Sequence, residues 1–292
     1  MQSNATSDAA HAPPQVFYRH RLPVRLMHWV NVISFSLMLM SGLGIFNAHP
    51  NLYWGKDSYS VSTVTLLSIG ATQDGAGNIH GVTRTMGRVF DTDGVLGASK
   101  VLSDATPSAR AFPSWATIPS RQSLATARHW HLFFAWIFVL NGIAYIAYAI
   151  FSGHLRRDML PTMAELRNIP QSIKEHLLLK HPTGDAAKRY NVLQNIAYLV
   201  VIFGLLPLVV LGGFGLSPSL NALFDGAWID LMGGRQSART LHFLAAFGLV
   251  MFIVVHVFEV IITGLWNNLR SMITGNYRVP QDPVKNNEGK PS

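Results

Sequence analysis

The chain has 292 residues, 49% hydrophobic and only 13% charged, with a formal net charge of +8 and no cysteine. A soluble domain carries about 25% charged residues, so this composition points away from a free soluble enzyme and toward a membrane protein. Without cysteine there is no disulfide, no thiolate-bound iron–sulfur cluster and no covalently attached haem.

Residues 1–18 are polar, contain Ala, Ser and Pro, and read as disordered. The basic stretch RHRLPVRLMHW then leads into the first apolar segment, 26–47. A helix needs roughly 20 apolar residues to cross the hydrocarbon core, and this run is longer than the apolar part of a usual signal peptide. It reads as a retained helix. The segment 48–128 is rich in Gly, Ser, Thr and Asp, with isolated aromatics in NLYWG and FPSW. It shows neither sustained helical nor strand periodicity and reads as a long loop outside the membrane.

The second apolar segment runs over 130–151. The connection 152–191 that follows contains PTMAELRNIPQSIKEHLLLKHP, read as one or two short amphipathic helices with Pro161 and Pro170 as starts or breaks. A third segment, 192–216, carries Pro207 in mid-span, where a kink is expected. The fourth, 240–265, begins after Ser237 or Thr240, either of which could cap it. The tail after about 275 reads as unstructured. The expected fold is therefore an all-α membrane protein, a four-transmembrane-helix bundle. Residues 1–25 form a cytoplasmic tail, 26–275 the bundle, and 276–292 a disordered cytoplasmic tail.

Orientation follows from Lys and Arg in the loops. With the N-terminus inside, fourteen such residues fall on the inner side, including seven in 152–191, against Arg235 and Arg239 in the short outer loop. The long outer loop 48–128 exceeds the length over which the rule counts. The reading is N-in, C-in. The net positive charge is then a positive-inside bias beside anionic lipid, with no nucleic-acid partner.

Histidine placement carries the functional signal. His11, His80, His176 and His181 fall in loops or tails, and His49 and His154 at membrane boundaries. His242 and His256 share one apolar segment fourteen residues apart. Those fourteen steps return the second ring to within roughly 40° of the first, about 21 Å along the helix. Ionisable groups at such depth mark functional sites. The N-in topology puts His131 level with His242 near the outer surface, and His28 level with His256 near the inner one. Zinc would gather four ligands at one point, whereas two separated pairs suit two planar macrocycles, each ligated from both sides.

Clearance for such macrocycles is offered by Gly42, fourteen residues after His28, and by Gly142, eleven after His131. Counted from His129, Gly142 falls roughly 140° away, which favours His131 over His129 as ligand. His129 either caps its helix or touches a propionate. Arg25, Arg128 and Arg239 lie near helix ends where propionates need a cation.

The stretches RHRLPVRLMHWVN, RHWHLFFAWIFVLNGIAY, YNVLQNIAYLVVIFGLLP and RTLHFLAAFGLVMFIVVH, spanning about 19–270, resemble the bacterial di-haem cytochrome b family. That family includes nickel–iron hydrogenase b-type cytochromes, formate dehydrogenase gamma subunits and thiosulfate reductase cytochrome b subunits. The resemblance implies a quinone-reactive electron-transfer subunit of an oxidoreductase complex, multi-pass in the bacterial inner membrane and part of a respiratory chain. It implies two non-covalent b-type haems, with His28 and His256 on the inner one and His131 and His242 on the outer one. Quinone is the implied substrate, and the partner is a periplasmic oxidoreductase subunit or a c-type cytochrome. The long 48–128 insert departs from hydrogenase and formate dehydrogenase members and looks like the branch associated with molybdopterin partners.

A quinone or proton site is expected near the inner haem, with His20, Asn195 and Glu259 as its polar groups. Glu259 either relays protons or is a snorkelling interfacial carboxylate. The loop 48–128 either caps the outer haem and docks the partner, or is a disordered spacer. Competing functions are a passive membrane anchor and a His-lined metal or proton permease, which usually needs more helices or internal repeats.

Overall fold

The computed structural model describes residues 16–58, 65–101, 104–178 and 191–279. The elements in chain order are β1 (Val16–Tyr18), α1 (Leu22–Phe46), β2 (Asn51–Leu52), β3 (Leu67–Gln73), β4 (Ile79–Thr85), β5 (Arg88–Asp91), β6 (Gly97–Val101), β7 (Asp104–Arg110) and α2 (Leu124–Phe151). There follow α3 (Met163–Arg167), α4 (Ile169–Leu177), α5 (Val192–Val200), α6 (Leu206–Leu216), α7 (Pro218–Leu223), α8 (Ala227–Leu231), α9 (Arg235–Ile262), α10 (Leu265–Thr274) and β8 (Asn276–Arg278).

Among the described residues, four helical stretches are long and apolar enough to cross a membrane: Leu22–Phe46, Leu124–Phe151, Val192–Leu216 and Arg235–Ile262. Their side chains are arranged inside out. Ile33, Phe133, Leu140, Met251 and Val254 are exposed, while Ser34, Ser41, Val209, Ala238, Thr240 and Ala245 are buried. Lipid is as apolar as leucine, so large side chains face it and small ones bring helices together.

Helix α9 starts at Arg235, not after Ser237 or Thr240, which lie inside its first turns and are buried. Neither acts as a local cap. The Gln236 and Ser237 amides donate instead to the carbonyl of Gly55, at 3.1 and 3.2 Å. A distant backbone oxygen thus satisfies the open helix start. Ser237 Oγ accepts from Gly55 N at 2.7 Å, and Thr240 Oγ1 donates to Tyr53 O at 2.6 Å. The kink expected at Pro207 takes the form of a π turn over Val201–Leu205 just before α6. Proline cannot donate to the carbonyl four residues back, and its ring crowds it; a wider turn relieves both.

The chain divides into two units, one made of Met1–Leu26, Ala147–Leu199 and Ile253–Ser292, the other of Met27–Ile146 and Val200–Phe252. In the first, β1 pairs antiparallel with β8, Phe17 opposite Tyr277. The expected cytoplasmic tail 1–25 and the tail from 276 are therefore partly ordered: α1 begins at Leu22, and residues 16–18 and 276–278 form one ribbon. The disorder expected of residues 1–15 and 280–292 lies outside the described residues. Arg19 stacks on the Tyr277 ring at 4.7 Å, and the Arg25 guanidinium donates to Ile273 O. Among the described residues of the 152–191 connection, a π turn over Leu155–Met159 is followed by two short α-helices. Pro161 precedes α3, where Thr162 and Glu165 form a reciprocal capping box, and Pro170 sits in the first turn of α4.

In the second unit, Val209, Ala245 and Leu249 form a core with Phe35 and Leu205 packed against it. The 48–128 segment corrects the expectation of a structureless loop. It holds a four-stranded antiparallel sheet of order β2-β3-β4-β5 and a separate β6-β7 hairpin. Register is set by pairs such as Ile69 with Thr83 and Gly70 with Val82. Gly97 lies at φ +88° and so close to Gly70 and Gly81 that a Cβ would have no room, which lets β6 cross the sheet. Ile69, Leu52, Ala111 and Phe112 join Phe46 of α1 in one core, against which Phe243 and Phe247 of α9 pack. Among the described residues this segment is a folded β module seated on α1 and α9, not a disordered spacer.

Candidate functional site

All four spanning stretches contribute to one site in the second unit. His131 of α2 and His242 of α9 face each other with ring centroids 6.1 Å apart and planes inclined at 70°. His131 Nδ1 lies 3.0 Å from the Met38 carbonyl of α1 and 3.3 Å from Ser41 Oγ. His242 Nδ1 lies 2.7 Å from the Val209 carbonyl of α6. A carbonyl can only accept, so both Nδ1 atoms carry the proton. In a neutral imidazole that leaves Nε2 as a bare acceptor.

This state is the one a metal-binding imidazole adopts, with the outer nitrogen tied to a carbonyl and the inner one free. Metal–imidazole bonds of about 2 Å on both sides of one iron place the ring centroids roughly 6 Å apart, as found. Among the described residues no group of three or more His, Asp or Glu side chains is placed to hold a metal ion. The pair therefore fits a metal whose remaining ligands come from a planar macrocycle, and it fits a tetrahedral protein cage poorly.

Small residues seat the two rings. A Cβ on Gly42 would lie 3.3 Å from His131 Cε1, so this glycine makes room for the imidazole itself and not only for a macrocycle. A Cβ on Gly212 would lie 2.9 Å from His242 Cβ and 3.3 Å from the Ala238 carbonyl; on Gly213, 3.4 Å from His242 Cε1. At Gly142 a Cβ would meet nothing within 4 Å, which leaves the space expected there open. The two carbonyl acceptors, Ser41 and the Gly212-Gly213 pair escaped the sequence reading. The visible signals were Ser41-Gly42 on the His28 helix and two adjacent glycines in an apolar span.

The remaining candidates fall on other parts of the two units. His129 is exposed, about 200° around α2 from His131. His28 lies in the second unit, half-buried and edge-on to Trp29 at 5.5 Å. His256 lies in the first unit and is half-buried. Arg239, one turn before His242, is partly buried, donates to the His49 carbonyl and lies 5.8 Å over the Phe46 ring. Arg128 is exposed and Arg25 partly buried. His20, Asn195 and Glu259 all belong to the first unit. Asn195 is buried, and its Oδ1 has no hydrogen-bond partner among the described residues; His20 donates its amide to Gly275 O at 3.4 Å.

Outside the spans, two clusters shape the β module. Arg110, 3% exposed, donates to Phe112 O, Ser120 O and Thr117 Oγ1 at 2.9, 2.9 and 3.0 Å, and burial lowers its pKa. Asn47 at the end of α1 pairs twice with the Phe112 backbone, accepting at 2.7 Å and donating at 3.1 Å. His80 lies between Asp93, at 3.1 Å, and Asp74, at 3.4 Å.

A family described as prokaryotic cytochrome b561 matches residues 19–275 of this chain. A relative from Azospira oryzae, named as a protein-methionine-sulfoxide reductase subunit (YedZ1), is 34% identical over 134 residues, which cover 46% of this chain and 64% of the relative. The chain thus matches less than two thirds of that relative's length. No solved structure matches the chain.

Proposed function

Since the chain belongs to the prokaryotic cytochrome b561 family, which implies b-type haem, we propose that it is the membrane subunit of an electron-transfer complex. In this reading it holds two non-covalent haems and carries electrons between quinone and a redox partner on the periplasmic face. The observation that carries the proposal is the His131–His242 pair, with both Nδ1 protons committed to carbonyls and both Nε2 atoms available. Iron held between them supplies one-electron transfer between ferric and ferrous states, with ligands and burial setting its potential.

The rest of the assignment follows chain position. His28 and His256 are assigned to the second haem by their sequence register alone. Arg239 has guanidinium N–H donors enough to hold a propionate beside its bond to His49. The topology is N-in, C-in, multi-pass in the bacterial inner membrane, with His20, Asn195 and Glu259 on the cytoplasmic side. There the orphaned Asn195 Oδ1 supports a quinol hydroxyl as its missing donor, because a buried acceptor left unpaired costs free energy. Glu259 would pass the proton.

The partner is a soluble oxidoreductase of the molybdopterin type, or a c-type cytochrome in its place, docking on the β module. The similarity to a chain named as a reductase subunit supports the first, as does the long folded insert. Neither the anchor nor the permease alternative explains two imidazoles held as facing acceptors.

Purification of the full chain tests this directly. Two haems per polypeptide with low-spin bis-imidazole spectra, reducible by an added quinol, are expected. Glu259→Gln should slow quinol-driven reduction severalfold while leaving haem content unchanged. A colourless protein would overturn the whole reading; one haem per chain would remove the His28–His256 assignment alone.

A further inference from the structure

Ser41 is fully buried in α1, next to Gly42, with its hydroxyl at the Nδ1 edge of the His131 ring. Its hydroxyl donates to Leu37 O at 2.7 Å, with Met38 O also in reach at 3.1 Å. The same oxygen lies 3.3 Å from His131 Nδ1. A serine proton bonded to Leu37 O leaves lone pairs facing the imidazole. The Nδ1 proton of His131 is therefore shared between Met38 O at 3.0 Å and Ser41 Oγ.

Met38 O is itself oversubscribed. A carbonyl has two lone pairs, and in a regular helix this one accepts the amide four residues on. The imidazole and the serine hydroxyl compete for what remains. At His242 the Nδ1 proton goes to Val209 O at 2.7 Å, a helical carbonyl that carries the amide four residues on but, among the described residues, no competing side-chain hydroxyl. The facing ligands thus differ in how firmly their outer protons are held.

Resting on the haem reading above, we propose that Ser41 is a positioning residue that grades the donor strength of His131, and through it the haem potential. A short, undivided Nδ1–H···O bond makes an imidazole a stronger donor to the metal, and a stronger donor favours the ferric state. By dividing that bond at His131, Ser41 weakens the donation and holds the haem more readily reduced than two His242-type ligands would. The device separates the potential of this haem from ligand identity, which is histidine on both sides.

The test uses purified full-length chain, with the haem identified as the one lost in His131→Ala. In Ser41→Ala the bis-imidazole spectrum should persist, while potentiometric titration shows a severalfold larger ferric-to-ferrous ratio at fixed potential. Ser41→Thr keeps a hydroxyl and should restore the original ratio, whereas Ser41→Val, of the same shape, should behave like Ser41→Ala. An unchanged ratio, or one moved toward ferrous, in a spectrally intact Ser41→Ala protein overturns the proposal. Loss of the haem in Ser41→Ala also overturns it, because the hydroxyl would then hold the ligand and not grade it. Failure of the underlying haem reading shows separately, as haem content unaffected by His131→Ala.

Discussion

His131 and His242 face each other across 6.1 Å, and the carbonyls that orient them, Met38 O and Val209 O, come from two further helices. The arrangement cannot survive independent movement of any one span. It predicts which histidine on α2 matters. On the two-haem proposal, His131→Ala should abolish one haem spectrum, while His129→Ala, altering an exposed ring, should leave both intact. Absorption and haem extraction on the two variants decide it. Loss in His129→Ala alone would reverse the assignment.

Gly212 gives a steric prediction. A methyl there would meet His242 Cβ at 2.9 Å and backbone oxygen of Ala238 at 3.3 Å, neither of which can swing away. Gly212→Ala should cost on the order of 1–3 kcal/mol of overpacking and lower the occupancy of the haem proposed to bind His242. Gly142→Ala meets nothing within 4 Å among the described residues. If the second haem uses that space, this variant keeps wild-type thermal stability as apoprotein and loses haem only there, as read by haem stoichiometry.

Asn47 ties the β module to the end of α1 through the Phe112 backbone. Asn47→Ala leaves the buried Phe112 amide without its acceptor, a penalty of about 1–3 kcal/mol. Phe112 O keeps Arg110 Nε as a donor, so the loss is one-sided. Limited proteolysis should then cut within residues 111–119, and protection equal to wild type would show the clamp to be redundant.

The His80 cluster predicts a pH window for local order in the β module. Hydrogen bonds to Asp93 and Asp74 raise the His80 pKa, and that contribution is complete below the unfolded value of about 6.5 and fades as pH rises through the folded one. Asp74 is lowered to about 2, chiefly by Asn78, and Asp93 is lowered, chiefly by the Gly81 amide. Their contributions are complete above the unfolded value of about 3.9 and fade as pH falls toward the folded ones. Amide protection over residues 74–81, taken relative to the intrinsic exchange rate at each pH, should be greatest between roughly pH 4 and 6.5, and His80→Gln should flatten the high-pH limb. A high-pH limb unchanged in that variant would assign the dependence elsewhere.

What could be read in the sequence was what periodicity and composition encode. Four apolar stretches are long enough to cross a bilayer, and the described residues form four such helices. Two short helices in the 152–191 connection followed from Pro161, Pro170 and the amphipathic pattern between them. The β module was invisible for a physical reason. Its strands are short, β5 is exposed along its whole length, and its core residues are spread between Leu52 and Phe112 with helical partners at Phe46, Phe243 and Phe247. No local alternation marks a strand whose buried face is completed by distant helices. Helix starts were misplaced for a similar reason: the cap of α9 is the Gly55 carbonyl, far away in sequence.

The spacing of imidazoles along each helix was determined by the sequence alone, because 3.6 residues per turn converts numbers directly into faces and depths. That narrowed twelve histidines to five candidate iron ligands. Which ring on α2 meets α9, and which nitrogen each ring presents, were decided only by tertiary structure. Both depend on carbonyls and glycines of other helices, and backbone oxygens are the same in every sequence. A side chain's type states what it can do; only the backbone brought alongside it determines which of its atoms is free to do so.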